Sequence, residues 1–349
     1  MDVSVVVPLY NKRAEIGRCL RSVCAQLVQP DEVLVVDDGS TDGGSAVAAS
    51  VGCPGLRIIT QTNQGAAAAR NTGIREARND LIAFLDADDE WLPGFLEEIL
   101  RLLHRYPQAA AFGTAYLIDK GPLRRYEVVC DVPAEMTLLN AGEGALDYFA
   151  ARPCLWSSST AVRKSAFDVV GPFRVGLRQV EDQDMWFRIG CAFPIAYSRR
   201  PCAVWHWTAS NRSTALAPAE EDCMGTSLKE LLEKGVILPG MLPKARAFAR
   251  RFRLAQAIAL ATYHRGRGLA ALRQWRAEYG AGPRWYLRYA AFLIHPETYW
   301  LPLRCGSRVK DFLRSLRRMI RLELAGPRAG WAGNCGAGRR AARGLRTPQ

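Results

Sequence analysis

This 349-residue chain contains no stretch of about 18 apolar residues free of charge, so nothing in it reads as a membrane span. The nearest candidate, Trp285 to Leu303, is interrupted by Arg288, His295, Pro296, Glu297 and Pro302. Histidine is scarce, with 4 residues. The 10 cysteines include no Cys-x-x-Cys pair and no Cys/His cluster with zinc spacing. Structural zinc sites and thioredoxin-like redox chemistry therefore lack their ligands. Cys19, Cys24, Cys191 and Cys202 lie in apolar contexts, as expected of buried, reduced thiols in a cytosolic protein. No Gly-x-Gly-x-x-Gly follows the first apolar run, which excludes a nicotinamide-dependent oxidoreductase. That run begins within a few residues of the first, so no signal peptide is expected ahead of it. No internal repeat is visible.

Acidic residues are nearly missing from the last third. Residues 241–349 carry 23 Lys/Arg against 4 Asp/Glu, a net of +19. Residues 1–240 carry 24 against 30, a net of −6. The overall +13 is thus the property of one end of the chain, and an acidic domain joined to a basic extension points to an anionic surface as partner. Trp285, Tyr286, Tyr289, Tyr299 and Trp300 flank the interrupted apolar segment, a composition suited to a membrane interface. A helical lobe with its aromatics packed inward is the competing reading. Nucleic acid is the poorer partner, because only Phe312 and Trp331 lie beyond Trp300 as stacking groups. Residues 326–349 are Gly, Ala and Arg with almost no apolar content, and are expected to be disordered.

The apolar fraction of 49% is enough for a sizeable core. Val3-Ser4-Val5-Val6-Val7 reads as a strand buried on both faces, stopping at Pro8. A helical stripe follows from Lys12 to Leu27. Further strands are expected at Glu32–Val36, Leu56–Thr60 and Leu81–Leu85, with an Ala-rich helix to Ala77 and another helix over Trp91–Tyr106. Alternation of this kind predicts βαβ units and an open twisted, mostly parallel sheet flanked by helices. Beyond Ala109 the pattern changes. Strands are expected at Ala109–Tyr116, Arg125–Cys130 and Trp156–Val162, a helix at Glu181–Cys191, two short strands within Ile195–Trp207, and helices from about Pro218.

Polar clusters sit at the strand ends, where open α/β sheets bind ligands. Phe84-Leu85-Asp86-Ala87-Asp88-Asp89 carries an apolar strand into three carboxylates that repel one another unless a cation sits among them. Hard oxygen ligands there suit Mg²⁺ or Mn²⁺, although Asp-rich turns and helix caps share the pattern. Pro8-Leu9-Tyr10 ends the first strand with backbone and a ring free to face a base. Asp37 and Asp38 end the second, offering acceptors to an N–H donor or to ribose hydroxyls, or closing a turn with Ser40 and Thr41. Asn63-Gln64-Gly65 opens a helix whose free N–H groups favour anions. Asp184 and Arg188 are spaced to pair on the outer face of their helix, leaving Asp182 free.

VSVVVPLYN (Val3–Asn11), the Ser22-Val23-x-x-Gln26 segment, DDGSTD (Asp37–Asp42), NQGAAAARN (Asn63–Asn71), DADD (Asp86–Asp89) and EDQDMWFR (Glu181–Arg188) occur in order. Together they resemble the family 2 glycosyltransferases of GT-A fold, over about residues 1–215. The resemblance implies a nucleotide-sugar domain at 1–215; composition and pattern add a helical basic region at 216–325 and the tail at 326–349. It implies an inverting transfer of one sugar from a nucleoside diphosphate donor, with a divalent cation. Donor contacts then fall to Pro8, Tyr10, Asp37, Asp38, Asn63, Gly65, Arg70, Asp86 and Asp88, with the nucleobase at Asp38 and Arg70 reaching the nucleotide. Asp88 is the expected metal ligand, with Asp86 on the ribose or the metal. Asp182 is the expected general base and Glu181 orients the acceptor. Trp205-His206-Trp207-Thr208 lies where relatives carry a loop residue closing over the diphosphate, and His206 is a candidate metal or phosphate ligand. The Gln-x-x-Arg-Trp motif and spans of processive synthases are missing, which implies one sugar per encounter. The acceptor is then a glycan or lipid-linked glycan at the cytoplasmic face of a membrane. A nucleotidyltransferase is the rival enzyme, weakened by the lack of a Gly-rich basic loop after the first strand. An inactive nucleotide-sugar binder is the non-enzymatic rival.

Overall fold

The computed structural model describes residues 2–121, 125–128, 132, 134–139, 155–177, 179–209, 223–238, 240–263, 267, 270–271 and 274–277. The compact unit they form falls within Met1–Ala281, and the second unit, Gly282–Gln349, lies outside the described residues. The aromatic segment near Trp285 and the tail from 326 therefore lie outside them too.

The first half is a βα alternation: β1 Val3–Leu9, α1 Ile16–Cys24, β2 Glu32–Asp37, α2 Gly44–Ser50, β3 Leu56–Thr60, α3 Ala66–Glu76 and β4 Leu81–Phe84. After it come β5 Glu90–Trp91, α4 Phe95–Arg105, β6 Ala111–Asp119, β7 Arg125–Val128 and β8 Met136–Leu139. A 3₁₀ turn at Ser157–Ser159 leads into β9 Thr160–Arg163, α5 Lys164–Val170, α6 Glu181–Ala192 and β10 Ile195–His206. Two further helices follow, α7 Cys223–Glu233 and α8 Met241–Tyr263.

Among the described residues the strands make one 10-stranded sheet in the order β3-β2-β1-β4-β9-β6-β10-β5, with β7 on β6 and β8 on β10. Strands β3, β2, β1 and β4 run parallel, as do β6 and β10; β9 lies antiparallel between β4 and β6. Side chains alternate across the sheet. Val5, Val7, Val33, Val35 and Ala83 face a core shared with α1 and α4, while Val6, Leu34, Ile82 and Phe84 face one shared with α3 and α6. Both faces are covered, which is why these strands read as unbroken apolar runs. Helix α3 lies close on β1 because its inner face is Ala67, Ala68, Ala69 and Gly73; a Cβ at Gly73 would stand 2.3 Å from Val6 Cγ1.

Several element boundaries differ from the sequence reading. Helix α1 is shorter than Lys12–Leu27, and α4 begins at Phe95 rather than Trp91. Glu90–Trp91 is instead drawn into the sheet, pairing antiparallel with Ala203–Val204. Trp156 precedes a 3₁₀ turn, so the strand expected from Trp156 starts at Thr160. Ile195–His206 is one strand, not two, with register shifts between Ser198 and Ala203 that absorb the break at Pro201. Helices α7 and α8 are integral to the core: Met224, Leu228, Leu231, Met241, Ala245, Phe248 and Ala249 are buried in the same cluster as Phe187 and Ile189 of α6.

Candidate active site

Four segments meet at the carboxyl edge of the parallel strands: the β1–α1 loop, the β2–α2 turn, the loop after β4, and the start of α6. The first two are tied together. Asn11, in a left-handed conformation (φ 50°), donates its backbone N–H to Ser40 Oγ and accepts at Oδ1 from the Thr41 N–H. Asp37 is 3% exposed and closes its turn by accepting from the Ser40 N–H at 2.9 Å. Asp38 accepts from Gln61 Nε2 (2.7 Å), Gln64 N–H (2.9 Å) and Gly65 N–H (2.7 Å). It thereby shapes the entry to α3, where Gly65 holds φ 91°. Tyr10 is exposed at the mouth of this edge, with Asn63 and Gly65 also exposed and Pro8 partly so.

The loop after β4 gathers Asp86, Asp88 and Asp89, but each has a different neighbourhood. Asp88 Oδ2 accepts from Lys12 Nζ at 2.7 Å, and its carbonyl accepts from Arg18. Asp86 Oδ1 accepts from Arg70 Nη2 at 2.6 Å, and the Asp86 N–H donates to Ser158 Oγ. Asp89 is buried, with Oδ2 on the Ser158 hydroxyl and Oδ1 on the His206 N–H. Asp89 therefore neither caps α4 nor faces the cleft; it clamps the loop to β10 and the 3₁₀ turn. Burial, then repulsion from Asp88 and Asp86, holds its carboxyl well above the usual range. Asp88 is raised as well, by burial first, with Lys12 opposing and Asp86 adding. The Cys19 thiol beneath the loop is pushed up by burial and by the three aspartates, so it is not an available nucleophile.

Helix α6 brings the second acidic pair. Glu181 Oε1 accepts from Arg70 Nη1 at 2.9 Å. Asp182 is partly buried, its Oδ1 on the Gln183 N–H, and its pKa is pushed up to about 7. Burial is the main cause, Glu181 adds, Arg70 and the Gln183 N–H oppose, and Asp86 adds a little. A carboxyl poised near neutral suits proton abstraction at physiological pH. Asp184 and Arg188 do pair, at 2.9 Å, but on the buried side of the helix rather than the outer face. Arg188 also donates to the carbonyls of Val170, Gly171 and Pro172, and Asp184 accepts from Ser227 of α7.

The sequence profile of glycosyl transferase family 2 matches residues 4–171. The chain belongs to this family. It is 32% identical over 197 residues to the putative glycosyltransferase EpsH of Bacillus subtilis, spanning 53% of this chain and 55% of that protein. It is 30% identical over 228 residues to uncharacterized protein MT1568 of Mycobacterium tuberculosis, spanning 61% and 69%. The chain thus spans little more than half the length of EpsH, and 61% of an uncharacterized glycosyltransferase of Haemophilus influenzae. Its fold is shared with S. aureus TarS 1-349 in complex with UDP-GlcNAc (TM-score 0.60, 18% identity, 93% of this chain and 92% of that one). It is also shared with the mannosyltransferase PcManGT of Pyrobaculum calidifontis in complex with GDP-Man and Mn²⁺ (TM-score 0.52, 20% identity, 92% and 86%). This is the GT-A fold.

Within that family frame, the donor set fits a divalent cation, but only in part. Among the described residues no three His, Cys, Asp or Glu side chains converge on one point. Asp86 and Asp88 each keep one carboxylate oxygen outside the hydrogen bonds described above. Two carboxylates completed by donor phosphate oxygens and water is the usual Mg²⁺ arrangement. His206 Nε2 is buried without a hydrogen bond, 3.4 Å from Glu90 Oε1. Its N–H is spent on Asp89, so the backbone of this histidine belongs to the scaffold while its ring faces Glu90.

Lys12, Arg18 and Ser158 escaped the sequence reading, and Asn11 entered it only as the end of a motif, with no role of its own. Lys12 directly follows the Pro8–Asn11 segment and carried a signal, a cation one residue beyond a strand-end motif. Ser158 carried none: its role comes from β9 lying between β4 and β6, which no local pattern reveals. Trp156 and Trp205 pack at 5.6 Å, tilted by 37°, next in the chain to the 3₁₀ turn of Ser158 and to His206, in a row of rings that continues to Tyr116 and Trp207.

Proposed function

We propose that this protein is an inverting, non-processive glycosyltransferase that moves a single sugar from a nucleoside diphosphate donor, a UDP-sugar in our reading, to a hydroxyl of a glycan or lipid-linked acceptor. The observation that carries the reading is the Arg70 bridge from Asp86 to Glu181, which brings the Glu181–Asp182 pair to the Asp86–Asp88 loop, where burial pushes the Asp182 carboxyl up to about 7. Tyr10, Asp37, Asp38, Asn63 and Gly65 frame the nucleoside end, the exposed ones touching it and the aspartates fixing the loops that do. Asp88, with Asp86, would hold Mg²⁺ or Mn²⁺, whose chemistry there is to neutralise the leaving diphosphate. Asp182 accepts the proton of the acceptor hydroxyl as its oxygen attacks the anomeric carbon. The bond from that carbon to the phosphate oxygen breaks on the opposite face, and the nucleoside diphosphate departs with the electron pair. Glu181 orients the acceptor, and the partly exposed Trp156–Trp205 pair would offer an apolar surface to a sugar ring.

Among the described residues no helix is long and apolar enough to cross a membrane. The net +19 of residues 241–349 supports a peripheral association with the anionic cytoplasmic face of a membrane, where a lipid-linked acceptor would be presented in cell-surface polysaccharide synthesis. The test is a donor screen: UDP, GDP and dTDP release from a panel of nucleotide sugars, followed by NMR assignment of the product anomer. Release from one donor with inverted configuration supports the reading. Retained configuration, or pyrophosphate release from nucleoside triphosphate and sugar phosphate, refutes it, the latter in favour of a nucleotidyltransferase.

A further inference from the structure

We propose that Arg70 is a positioning residue that ties the donor-side carboxylate Asp86 to the acceptor-side helix bearing Glu181 and Asp182. It thereby fixes the geometry and the charge balance of both halves of the site. The inference rests on the reading of Asp182 as the base.

Arg70 is 3% exposed, and its guanidinium joins two segments distant in sequence, with Nη2 on Asp86 Oδ1 (2.6 Å) and Nη1 on Glu181 Oε1 (2.9 Å). Its Cζ lies 5.5 Å from the Phe173 ring centroid. Both terminal nitrogens are thus committed to carboxylates, and Nε is buried with no hydrogen-bond partner among the described residues. Turning this buried group outward to reach a nucleotide would break two charge-assisted bonds and leave two carboxylates without their cation. Burial disfavours its charge, yet Asp86 and Glu181 outweigh that and hold Arg70 more firmly protonated than a free arginine.

A second observation concerns the backbone that Arg70 secures. Val180, just before Glu181, adopts φ 63° and ψ 14°. A β-branched residue in the left-handed region persists only where its surroundings over-determine it. Here the Asp184 N–H bonds the Val180 carbonyl at 2.9 Å on one side, and the Arg70–Glu181 pair pins the next residue. The charges facing Asp182 come from three places: Glu181 on its own helix, Arg70 from α3 and Asp86 from the loop after β4. Asp184, further along α6, is balanced by Arg188 and Arg174. Removing Arg70 therefore leaves Asp182 beside uncompensated anions.

The experiment compares Arg70→Gln, Arg70→Lys, Glu181→Gln and the Arg70→Gln/Glu181→Gln double variant in the full chain. The Asp182 carboxyl is followed by ¹³C NMR titration, assigned by the signal lost in Asp182→Asn, and nucleotide affinity by calorimetry with UDP. In Arg70→Gln the Asp182 midpoint should rise by roughly one unit or more. In Glu181→Gln it should fall, and the double variant should lie between them. UDP affinity should stay within about threefold, and Arg70→Lys should keep the midpoint while kcat drops for want of the two-pronged geometry. Coincident midpoints across the series overturn the proposal. So does a roughly tenfold or greater loss of UDP affinity with kcat preserved at saturation, which makes Arg70 a nucleotide contact. Should Arg70→Gln fail to fold, Arg70→Lys still decides: a kcat equal to that of the wild type overturns the proposal. Full transfer by Asp182→Asn would instead sink the base assignment, a separate outcome because the titration needs no turnover.

Discussion

Replacing Asp182 by asparagine should cost activity and add stability, with opposite weights at different pH. The folded pKa of about 7 lies above the ordinary aspartate value of ~3.9, so the folded chain holds a proton that the unfolded chain releases between these values. The sign follows. A raised carboxyl contributes fully below the unfolded pKa, and its contribution is lost as pH rises through the folded pKa. Above about pH 7 the wild-type protein carries an ionised carboxylate that burial and Glu181 disfavour. About three units at 1.36 kcal/mol each gives an upper bound of about 4 kcal/mol; partial exposure and the coupling to Glu181 reduce this to about 2 kcal/mol. The amide introduced by Asp182→Asn cannot ionise and escapes that cost. The variant should therefore melt a few degrees above wild type at pH 8, with the gap closing as pH falls from 7 towards 4. Transfer, meanwhile, should drop by roughly a hundredfold or more with nucleotide affinity retained. Paired thermal melts at pH 4.5, 6 and 8, beside single-turnover rates, test both limbs. A stability gap that does not change with pH refutes the burial argument, and normal transfer at saturation refutes the assignment of the base.

Asp88→Asn should abolish transfer with the melting temperature nearly unchanged, and EDTA should reproduce the loss in the wild-type enzyme; full turnover in EDTA counts against metal dependence. Arg188→Lys loses the fork that joins Asp184 to three carbonyls and should destabilise the fold by about 3 kcal/mol, read as a shift in the urea midpoint. A chain ending at residue 240 removes the buried Met241, Ala245, Phe248 and Ala249 from the core around α6 and should aggregate, whereas one ending at 281 should elute without aggregate by size exclusion. Only the full chain should then sediment with anionic vesicles and be released by salt; equal binding by the chain ending at 281 removes the membrane role from residues 282–349.

The parts of this molecule that could be read in advance are those whose physics is local. Val3–Leu9 and Glu32–Asp37 announce themselves because a strand covered on both faces needs apolar residues at successive positions, and the acidic turns after β2 and β4 stand out against those runs. What stayed hidden depends on partners distant in sequence. Glu90–Trp91 looks like the first turn of a helix, and it becomes a strand only because β10 arrives with Ala203 and Val204 in register. Asp184 and Arg188 have a spacing that fits a solvated face as well as a buried one; burial was decided by α7, which supplies Ser227, and by the carbonyls at 170–172. Arg70 is the sharpest case. On its helix it sits after four alanines and resembles any cation that reaches outward, yet its charge is fixed by Asp86 and by Glu181, 111 residues further on. A carboxylate cluster at a sheet edge signals a need for positive charge. Whether that charge comes from a metal, a ligand or an internal guanidinium is set by topology, and here Lys12 and Arg70 already supply part of it, each bonded to one carboxylate oxygen of Asp88 and Asp86 respectively.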